Sequence, residues 1–562
     1  MYFFLPYSSL HDKIYVTREG KIQMVSIVYQ TNKKTGITYA YESISYWDKE
    51  KQQSRARRKC IGRVDPVTKE IIPTRKSSSD KVERSNNTKN ELINLDVTGL
   101  SRNFYGATYL FDSIGNKFGI TSDLKRCFPD TYKQIMSTAY FLILEDRNSL
   151  SRFPKWAAIH KHPYGQNIPS QRSSELFASI SEESKMNFFR LQGKRRVEQE
   201  YWAYDTTSIS SYSKYLKQVR YGNNKDYEPL PQINLALLFG EKSNLPFYYR
   251  KLAGNISDVK TVKNLLEDID SLGCSKVKLV MDRGFYSEEN INDLYKNHLK
   301  FLIATKLSLK FVKTELNKVR ETTRTWSNYS QKYDLYATST TINWAYSQDR
   351  PYKGGTLRGK RRMYFHIYFN SEKAVEDEKN LNSLLCKLQE EIESGKRRPE
   401  NENKYVKYFN IITTPAKGTK VTAKEEVIIE ARKNYGYFVL LSNDLKDPIK
   451  SLEIYRNKDL VEKAFGDLKE RLNFNRPAVS SDQSLNGKLF VEFIALIYLS
   501  YIKKMMQDKN LFKKHTMHGL LDEFDVIECF EQPGHRLQLG EITKLQTELY
   551  ESMEITPPTS LH

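Results

Sequence analysis

The chain has 562 residues, of which 39% are hydrophobic and 28% charged, so it is not a largely disordered protein but a globular one with a substantial core. Its 89 Lys and Arg residues outnumber the 68 Asp and Glu residues, which leaves a formal net charge of +21. A surplus of this size favours a polyanionic partner, because each neutralised phosphate releases a condensed counterion, although charge alone does not separate DNA from RNA or an anionic membrane.

The first segment, residues 1–75, is predicted to be β-rich. It opens without the basic stretch, apolar stretch and cleavage site of a secretion signal, and the five scattered cysteines include no CxxC pair, so we expect a cytoplasmic protein without zinc module or disulfides. GITYAYESISYWD predicts a strand, and the KQQSRARRKCIGR that follows holds six basic residues and no acid. Arg57, Arg58 and Lys59 are candidate DNA contacts; an edge strand kept soluble by its charges is the alternative.

Residues 76–100 are polar and predict a linker, whereas residues 101–200 predict a helical domain with apolar residues at spacings of three and four. His160 and His162 in this domain have no nearby partner ligands in the sequence. We interpret them as surface or interface residues rather than metal ligands.

Residues 201–306 predict three strands followed by helix, strand, helix and strand. EYWAYDTTSISSYS is interpreted as a strand that ends in a polar loop at Asp205, and KVKLVMDRGF as a buried strand that ends at Asp282. Continuous apolar strands alternating with helices predict an α/β fold, in which functional groups lie beyond the strand ends.

Residues 307–435 change character and predict an inserted β-rich module, with STTINWAYS and RMYFHIYFN as strands. Residues 436–510 return to the main domain. Their longest apolar run, LFVEFIALIYLSYI, has 14 residues and contains Glu492; since a membrane span needs about 20, we predict a buried helix and no membrane contact. Residues 511–562 carry no clear pattern.

The stretch YRNKDLVEKAFGDLK predicts an amphipathic helix with one polar face. Tyr455, Lys458, Glu462 and Lys469 fall within about 60° of one another around such a helix, beside an apolar stripe that would fix their direction. A face that merely meets solvent is the alternative.

Acidic residues at separate places in the chain suggest metal-dependent phosphoryl transfer. Two magnesium ions can clamp the attacking and leaving oxygens, and magnesium prefers carboxylate ligands. Asp205, Asp282 and Glu462 are the candidate catalytic and metal-binding residues. Tyr455, Lys458 and Lys469 would then contact the DNA backbone, and Arg283 either neutralises a phosphate or pairs with a carboxylate.

These residues resemble the DDE transposases of bacterial insertion sequences, in the insertion-sequence-four-like branch marked by Tyr-x2-Arg-x3-Glu-x6-Lys. Here the signature is Tyr455, Lys458, Glu462 and Lys469, with Lys458 in place of the family's Arg; a lysine keeps the charge but lacks the planar fork. The blocks YDTTS, VMDRGF, YYRKLAGNISDVKTV and GYFVLLSND also resemble the family's motifs. The likeness covers roughly residues 100–510, and the N-terminal region resembles the DNA-binding part of closer relatives.

The resemblance implies an RNase H-like catalytic core in residues 201–306 and 436–510, interrupted by a β-rich insertion domain in residues 307–435. It implies two Mg²⁺ ions, with Mn²⁺ as a substitute, and hydrolysis at the element's inverted repeats that frees a 3′-OH to attack target DNA. A homodimer would pair two ends, on the nucleoid of a bacterial cytoplasm. Related enzymes form a hairpin intermediate with a flipped base, for which Trp344 and Trp326 are candidate holders; core packing is the alternative for both.

Two other functions remain open at this point. One is a DNA-binding protein without catalysis that derives from a transposase, and the other is a plain metal-dependent nuclease. Three further basic clusters, of which RGKRR at Arg358–Arg362 is one, could each follow a DNA backbone or simply be solvated loops.

Overall fold

A computed structural model describes residues 13–16, 22–32, 36–48, 53–66, 71–72, 101–145, 149–195, 200–213, 215–349, 354–414, 418–474, 479, 481–532 and 535–559. The chain forms two compact units, Met1–Leu95 and Asp96–His562, which we describe one at a time. The predicted linker at residues 76–100 lies outside the described residues.

The first unit is an antiparallel sheet whose five strands neighbour one another in chain order. Its strands are rich in β-branched and aromatic residues. They are β1 (Lys13–Val16), β2 (Ile22–Thr31), β3 (Thr38–Asp48), β4 (Gln53–Val64) and β5 (Ile71–Ile72). The basic run forms β4 itself, so Arg57, Arg58 and Lys59 lie on a paired strand and are exposed.

The second unit opens with a short strand and a group of helices. These are β6 (Ser101–Phe104), α1 (Gly106–Lys117), α2 (Ile120–Cys127), α3 (Tyr132–Leu144), α4 (Phe153–Ala157), α5 (Ser170–Ser179) and α6 (Glu182–Lys194). Contrary to our interpretation, His160 and His162 are buried, and they bond to Asp525 and Ser137. Both histidines therefore form hydrogen bonds inside the helical core.

The central sheet begins with three antiparallel strands, and two parallel ones follow. The elements are β7 (Trp202–Ser210), β8 (Gln232–Gly240), β9 (Pro246–Ala253), α7 (Asp258–Ser271), β10 (Lys278–Met281), α8 (Glu288–Lys296) and β11 (Lys300–Thr305). β7 and β8 are buried along their whole length, which explains why their sequences are not strictly alternating.

Residues 307–435 do not form a separate β-rich module, which corrects our prediction. The elements here are α9 (Lys310–Thr323), β12 (Tyr329–Ser330), β13 (Leu335–Asp349), β14 (Thr356–Phe369), α10 (Ser371–Glu393), α11 (Glu402–Tyr408), β15 (Phe409–Thr414), β16 (Gly418–Ala423), α12 (Glu425–Arg432) and β17 (Tyr437–Ser442). β14 pairs with β17, and β17 pairs with β11. One nine-stranded sheet results, in the order β12-β13-β14-β17-β11-β10-β7-β8-β9.

The last part of the chain packs helices against this sheet and closes the helical region. It contains α13 (Pro448–Asn457), α14 (Asp459–Gly466), α15 (Asp482–Asp508), α16 (Met517–Asp525), β18 (Glu528–Glu531), β19 (Gln538–Leu539) and α17 (Lys544–Ser552). α15 is long and apolar enough to cross a membrane, but 89% of its most apolar stretch is buried, as in a core helix. β18 pairs with β6, so residues 511–559 complete the helical region that starts at Ser101.

Candidate active site

Asp205 and Asp282 lie on neighbouring parallel strands of the central sheet. The last residues that pair β10 with β7 are Met281 and Tyr204, and the two aspartates come next on their strands. Asp282 follows the end of β10 as predicted. Asp205 does not end its strand, because β7 continues to Ser210 by pairing with β8. Asp205 lies beside an opening because its neighbour β10 is shorter than β7, and not because β7 ends there.

Hydrogen bonds fix both carboxylates. Oδ1 of Asp205 accepts from the backbone N–H of Thr206 at 2.7 Å. Oδ1 of Asp282 accepts from the backbone N–H of Arg283 at 2.7 Å and from the hydroxyl of Tyr455 at 2.7 Å. These bonds hold the two side chains in defined positions at the ends of rigid strands.

The two aspartates have opposite pKa shifts. Burial raises the pKa of Asp205 to about 6, although the charges of Lys225 and Lys458 act to lower it. Burial would also raise the pKa of Asp282, but the bond from Tyr455, the N–H of Arg283 and nearby positive charges bring it below its ordinary value. At neutral pH Asp282 is therefore fully ionised, while Asp205 is near enough to titration to respond to small changes.

The predicted helix with a single polar face is interrupted twice. Tyr455 lies in α13, and Lys458 is at the junction where α13 ends and α14 begins. Glu462 lies in α14, and Lys469 in the π-helical turn Asp467–Arg471 that follows. A tight turn at Lys458 and a wide one near Lys469 change the angle between successive residues, so a plain 3.6-residue helix does not describe this segment.

Lys458 is the charge centre of the site. Its side chain is 3% exposed, and its Nζ lies 3.1 Å from Oε1 of Glu462, whose side chain is 61% exposed. Burial would lower the pKa of Lys458, but the carboxylates of Asp205, Asp282 and Glu462 raise it above its ordinary value. One buried ammonium thus interacts with all three predicted acids.

All three acids line one cavity of about 490 Å³. The same cavity contains charged residues that the sequence analysis missed: Lys225, Asp226, Asp258 and Glu470. The Nζ of Lys225 lies 3.2 Å from Oδ2 of Asp258 and 3.8 Å from Oδ1 of Asp205. Asp258 opens α7 and resembles any acid in a first helical turn, so only the tertiary structure reveals its place.

Several predicted DNA contacts have protein partners in this structure. Lys469 forms an ion pair with Asp226 at 2.6 Å, and Tyr455 bonds to Asp282 as described above. Lys458 is buried and does not present its ammonium to a surface. Arg283 is exposed beside Asp282 and helps to lower its pKa.

The two tryptophan candidates have opposite environments. Trp344 is 8% exposed, donates a 2.9 Å hydrogen bond to Asn292 and packs against Phe311. It is a core residue, which corrects its assignment as a DNA contact. Trp326 is 80% exposed and stacks on Tyr329, with ring centroids 5.2 Å apart.

The donor chemistry of the cavity fits a divalent cation. Within the described ranges, no three His, Cys, Asp or Glu side chains are close enough together to hold a metal ion as they stand. Mg²⁺, however, takes only one or two carboxylates from a protein and completes its shell with water and substrate phosphates. The bonds described above end on Oδ1 of Asp205 and Asp282, so Oδ2 of each carboxylate would be the oxygen that meets such an ion.

One comparison with known proteins agrees with this chemistry. A family model described as a transposase DDE domain matches residues 201–498. Among solved structures, a cryo-electron microscopy structure of a piggyBac transposase synaptic complex with hairpin DNA is similar at 10% identity and a TM-score of 0.32, covering 79% of this chain and 70% of that chain. That likeness is too weak to carry an argument. No curated protein matches.

Proposed function

This chain belongs to the transposase DDE domain family, and on that premise we propose that it cleaves DNA at the inverted repeats of a mobile element and joins the freed ends to target DNA. The observation that carries the proposal is the single cavity that Asp205, Asp282 and Glu462 share, with the ammonium of Lys458 among them. Three acids from distant parts of the chain meet there, although each taken singly is one of 68.

We further propose an RNase H-like core of the insertion-sequence-four-like branch. Support comes from β7–β11, in which three antiparallel strands are followed by two strands parallel to β7. The spacing of Tyr455, Lys458, Glu462 and Lys469 supports the branch. The first three side chains also lie at the cavity, where Tyr455 donates to Asp282 and Lys458 donates to Glu462. Residues 307–435, which interrupt this core in the sequence, contribute β12, β13 and β14 to the same sheet.

Asp205, Asp282 and Glu462 are the proposed ligands of Mg²⁺, with two ions in the loaded site and Mn²⁺ as a substitute. When bound, such ions stabilise charge on the scissile phosphate and lower the pKa of an attacking water. The protein itself fixes Asp282 through Tyr455 and keeps it ionised. Lys458 supplies positive charge near the three carboxylates in the absence of metal, and that charge also limits their mutual repulsion.

The proposed partners are the element's inverted repeats and target DNA, bound by a homodimer in a bacterial cytoplasm. The net charge of +21 supports a polyanionic partner. Arg57, Arg58 and Lys59 on exposed β4 support a DNA-binding role for the first unit.

The direct test is a nicking assay with duplexes that carry the element's terminal repeats and Mg²⁺. We expect strand cleavage by the wild-type protein, and loss of cleavage in Asp282→Asn and Glu462→Gln, both of which remove a charge with little change in volume. Cleavage that survives either substitution would reject the assigned roles.

A strand-transfer assay separates this function from its alternatives. A plain nuclease would nick DNA without joining ends, and a non-catalytic relative would bind DNA without nicking it. Joined products that appear only with Mg²⁺ or Mn²⁺ would support transposition.

A further inference from the structure

Strands β13 and β14 form a two-stranded ribbon that extends past the central sheet. The two strands pair from Tyr336–Phe369 to Asp349–Thr356, whereas β17 pairs with β14 only over Tyr364–Phe369. About eight residues of each strand therefore project beyond β17, a length of roughly 26 Å. The RGKRR cluster, which the sequence left open as a solvated loop, lies on this projecting part of β14.

Helix α8 anchors the ribbon to the rest of the second unit. Trp344 donates to Asn292 of α8, and Asn292 donates to Ser347 at 3.4 Å. The hydroxyl of Tyr295, also on α8, donates to the backbone oxygen of Arg362 at 2.9 Å. α8 starts shortly after Asp282, so the ribbon is held by the helix that follows the candidate active site.

Three cations repeat at every second position of β14. Arg358, Lys360 and Arg362 are exposed, and alternate residues of a strand lie on one face.

The residues directly opposite them in the register are Ser347, Ala345 and Asn343, none of which carries a charge. Asp349, the acid in this part of β13, pairs with Thr356 at the far end of the ribbon. Three like charges on one exposed face repel one another, and no acid lies directly opposite any of them in the register.

We propose that this face, with Arg358, Lys360 and Arg362, contacts the phosphate backbone of duplex DNA. The inference rests on the proposed function, since it takes DNA as the substrate, and adds a binding surface outside the catalytic cavity. Charge complementarity supports DNA as the occupant, and a two-stranded ribbon has dimensions that a DNA groove admits. Charges that only protect an unpaired strand edge are the competing explanation.

The test is the salt dependence of binding to a fluorescent duplex of mixed sequence, measured in EDTA so that no cleavage occurs. Removing one lysine or arginine that binds a phosphate lowers the slope of log affinity against log salt by about 1. We expect the triple variant Arg358→Gln, Lys360→Gln and Arg362→Gln to lower that slope by about 3. Replacement of both arginines by lysine should preserve it, which separates the removal of charge from damage to the ribbon.

A matched control removes three charges from exposed positions on α10 and α11, by Lys379→Gln, Lys387→Gln and Lys407→Gln. We expect its slope to stay at the wild-type value. A ribbon variant that binds the duplex with an unchanged slope would overturn the inference. A wild-type protein that nicks DNA while the ribbon variant keeps its slope would reject only the inference; a lowered slope without any nicking would reject only the proposed function.

Discussion

The hydroxyl of Tyr455 donates a 2.7 Å hydrogen bond to Oδ1 of Asp282, and so joins α13 to the end of β10. The two residues are far apart in the chain, yet this bond is one of the causes that lower the pKa of Asp282. A tyrosine that the motif presents as a DNA contact is thus also a positioning residue for a candidate metal ligand.

Removing that hydroxyl should shift the acid limb of the pH–rate profile. In Tyr455→Phe the pKa of Asp282 should rise by roughly one to two units, because a hydrogen bond to a charged group is worth about 1.5–3 kcal/mol. A smaller fraction of the carboxyl is then ionised at the acid end of the profile, so nicking should fall there and stay closest to the wild-type rate at pH 8. Tyr329→Phe is the control, because it removes a 2.6 Å bond to Asp334 outside the cavity. An unshifted limb would contradict this role.

Lys225 should control the ionisation of Asp205. Its charge opposes the effect of burial, which raises the pKa of Asp205 to about 6. In Lys225→Met that opposition is removed, the pKa rises further, and the pH at which nicking reaches half its plateau should move upward. Lys242→Met removes an exposed lysine outside the cavity and should leave the profile in place. Equal midpoints for the two variants would refute the assignment.

Lys458 should stabilise the protein chiefly when no metal is bound. Lys458→Met keeps the volume of the side chain but leaves three carboxylates without a common counter-charge. We expect the free energy of unfolding in EDTA to fall by roughly 2 kcal/mol, less than the 3–5 kcal/mol of a fully buried pair because Glu462 is 61% exposed. Urea denaturation with and without Mg²⁺ measures this, and Mg²⁺ should stabilise the variant more than the wild type. Identical Mg²⁺ effects would count against it.

The two tryptophans should differ in how much they contribute to stability. Trp344→Ala removes a buried indole and its bond to Asn292, and should cost about 3–5 kcal/mol in urea denaturation. Trp326→Ala removes an exposed ring and should change stability by less than about 0.5 kcal/mol. A stable Trp344→Ala protein would show that the ring is not part of the core.

The strands of the central sheet could be predicted because their pattern is local. Long apolar runs bounded by turns mark β8, β10 and β11, and the block around Asp282 places that acid just after its strand. Glu462 is identified through a motif whose spacing survives in the sequence whatever the backbone does between its members, whereas Asp205 and Asp282 are candidates because each is predicted at the end of a strand.

What the sequence could not reveal depends on contacts between distant segments. Asp205 lies inside β7 because β8 pairs beyond it, and the pairing of His366 with Leu440 that joins β14 to the core has no local signal. The break at Lys458 has only a weak local signal, since Asn457 and Asp459 beside it are modest helix formers in an otherwise helical stretch. Lys225 lies in a polar loop whose composition gives no hint of its contact with Asp205.

Because β17 lies between β14 and β11, residues 307–435 cannot be deleted without disturbing the central sheet. Deleting them would strip one neighbour from the strand that leads into the motif helices, and leave a bare apolar edge ready to pair with another molecule. A protein shortened in that way would aggregate before it could be assayed, so any minimal version of this protein must keep β14.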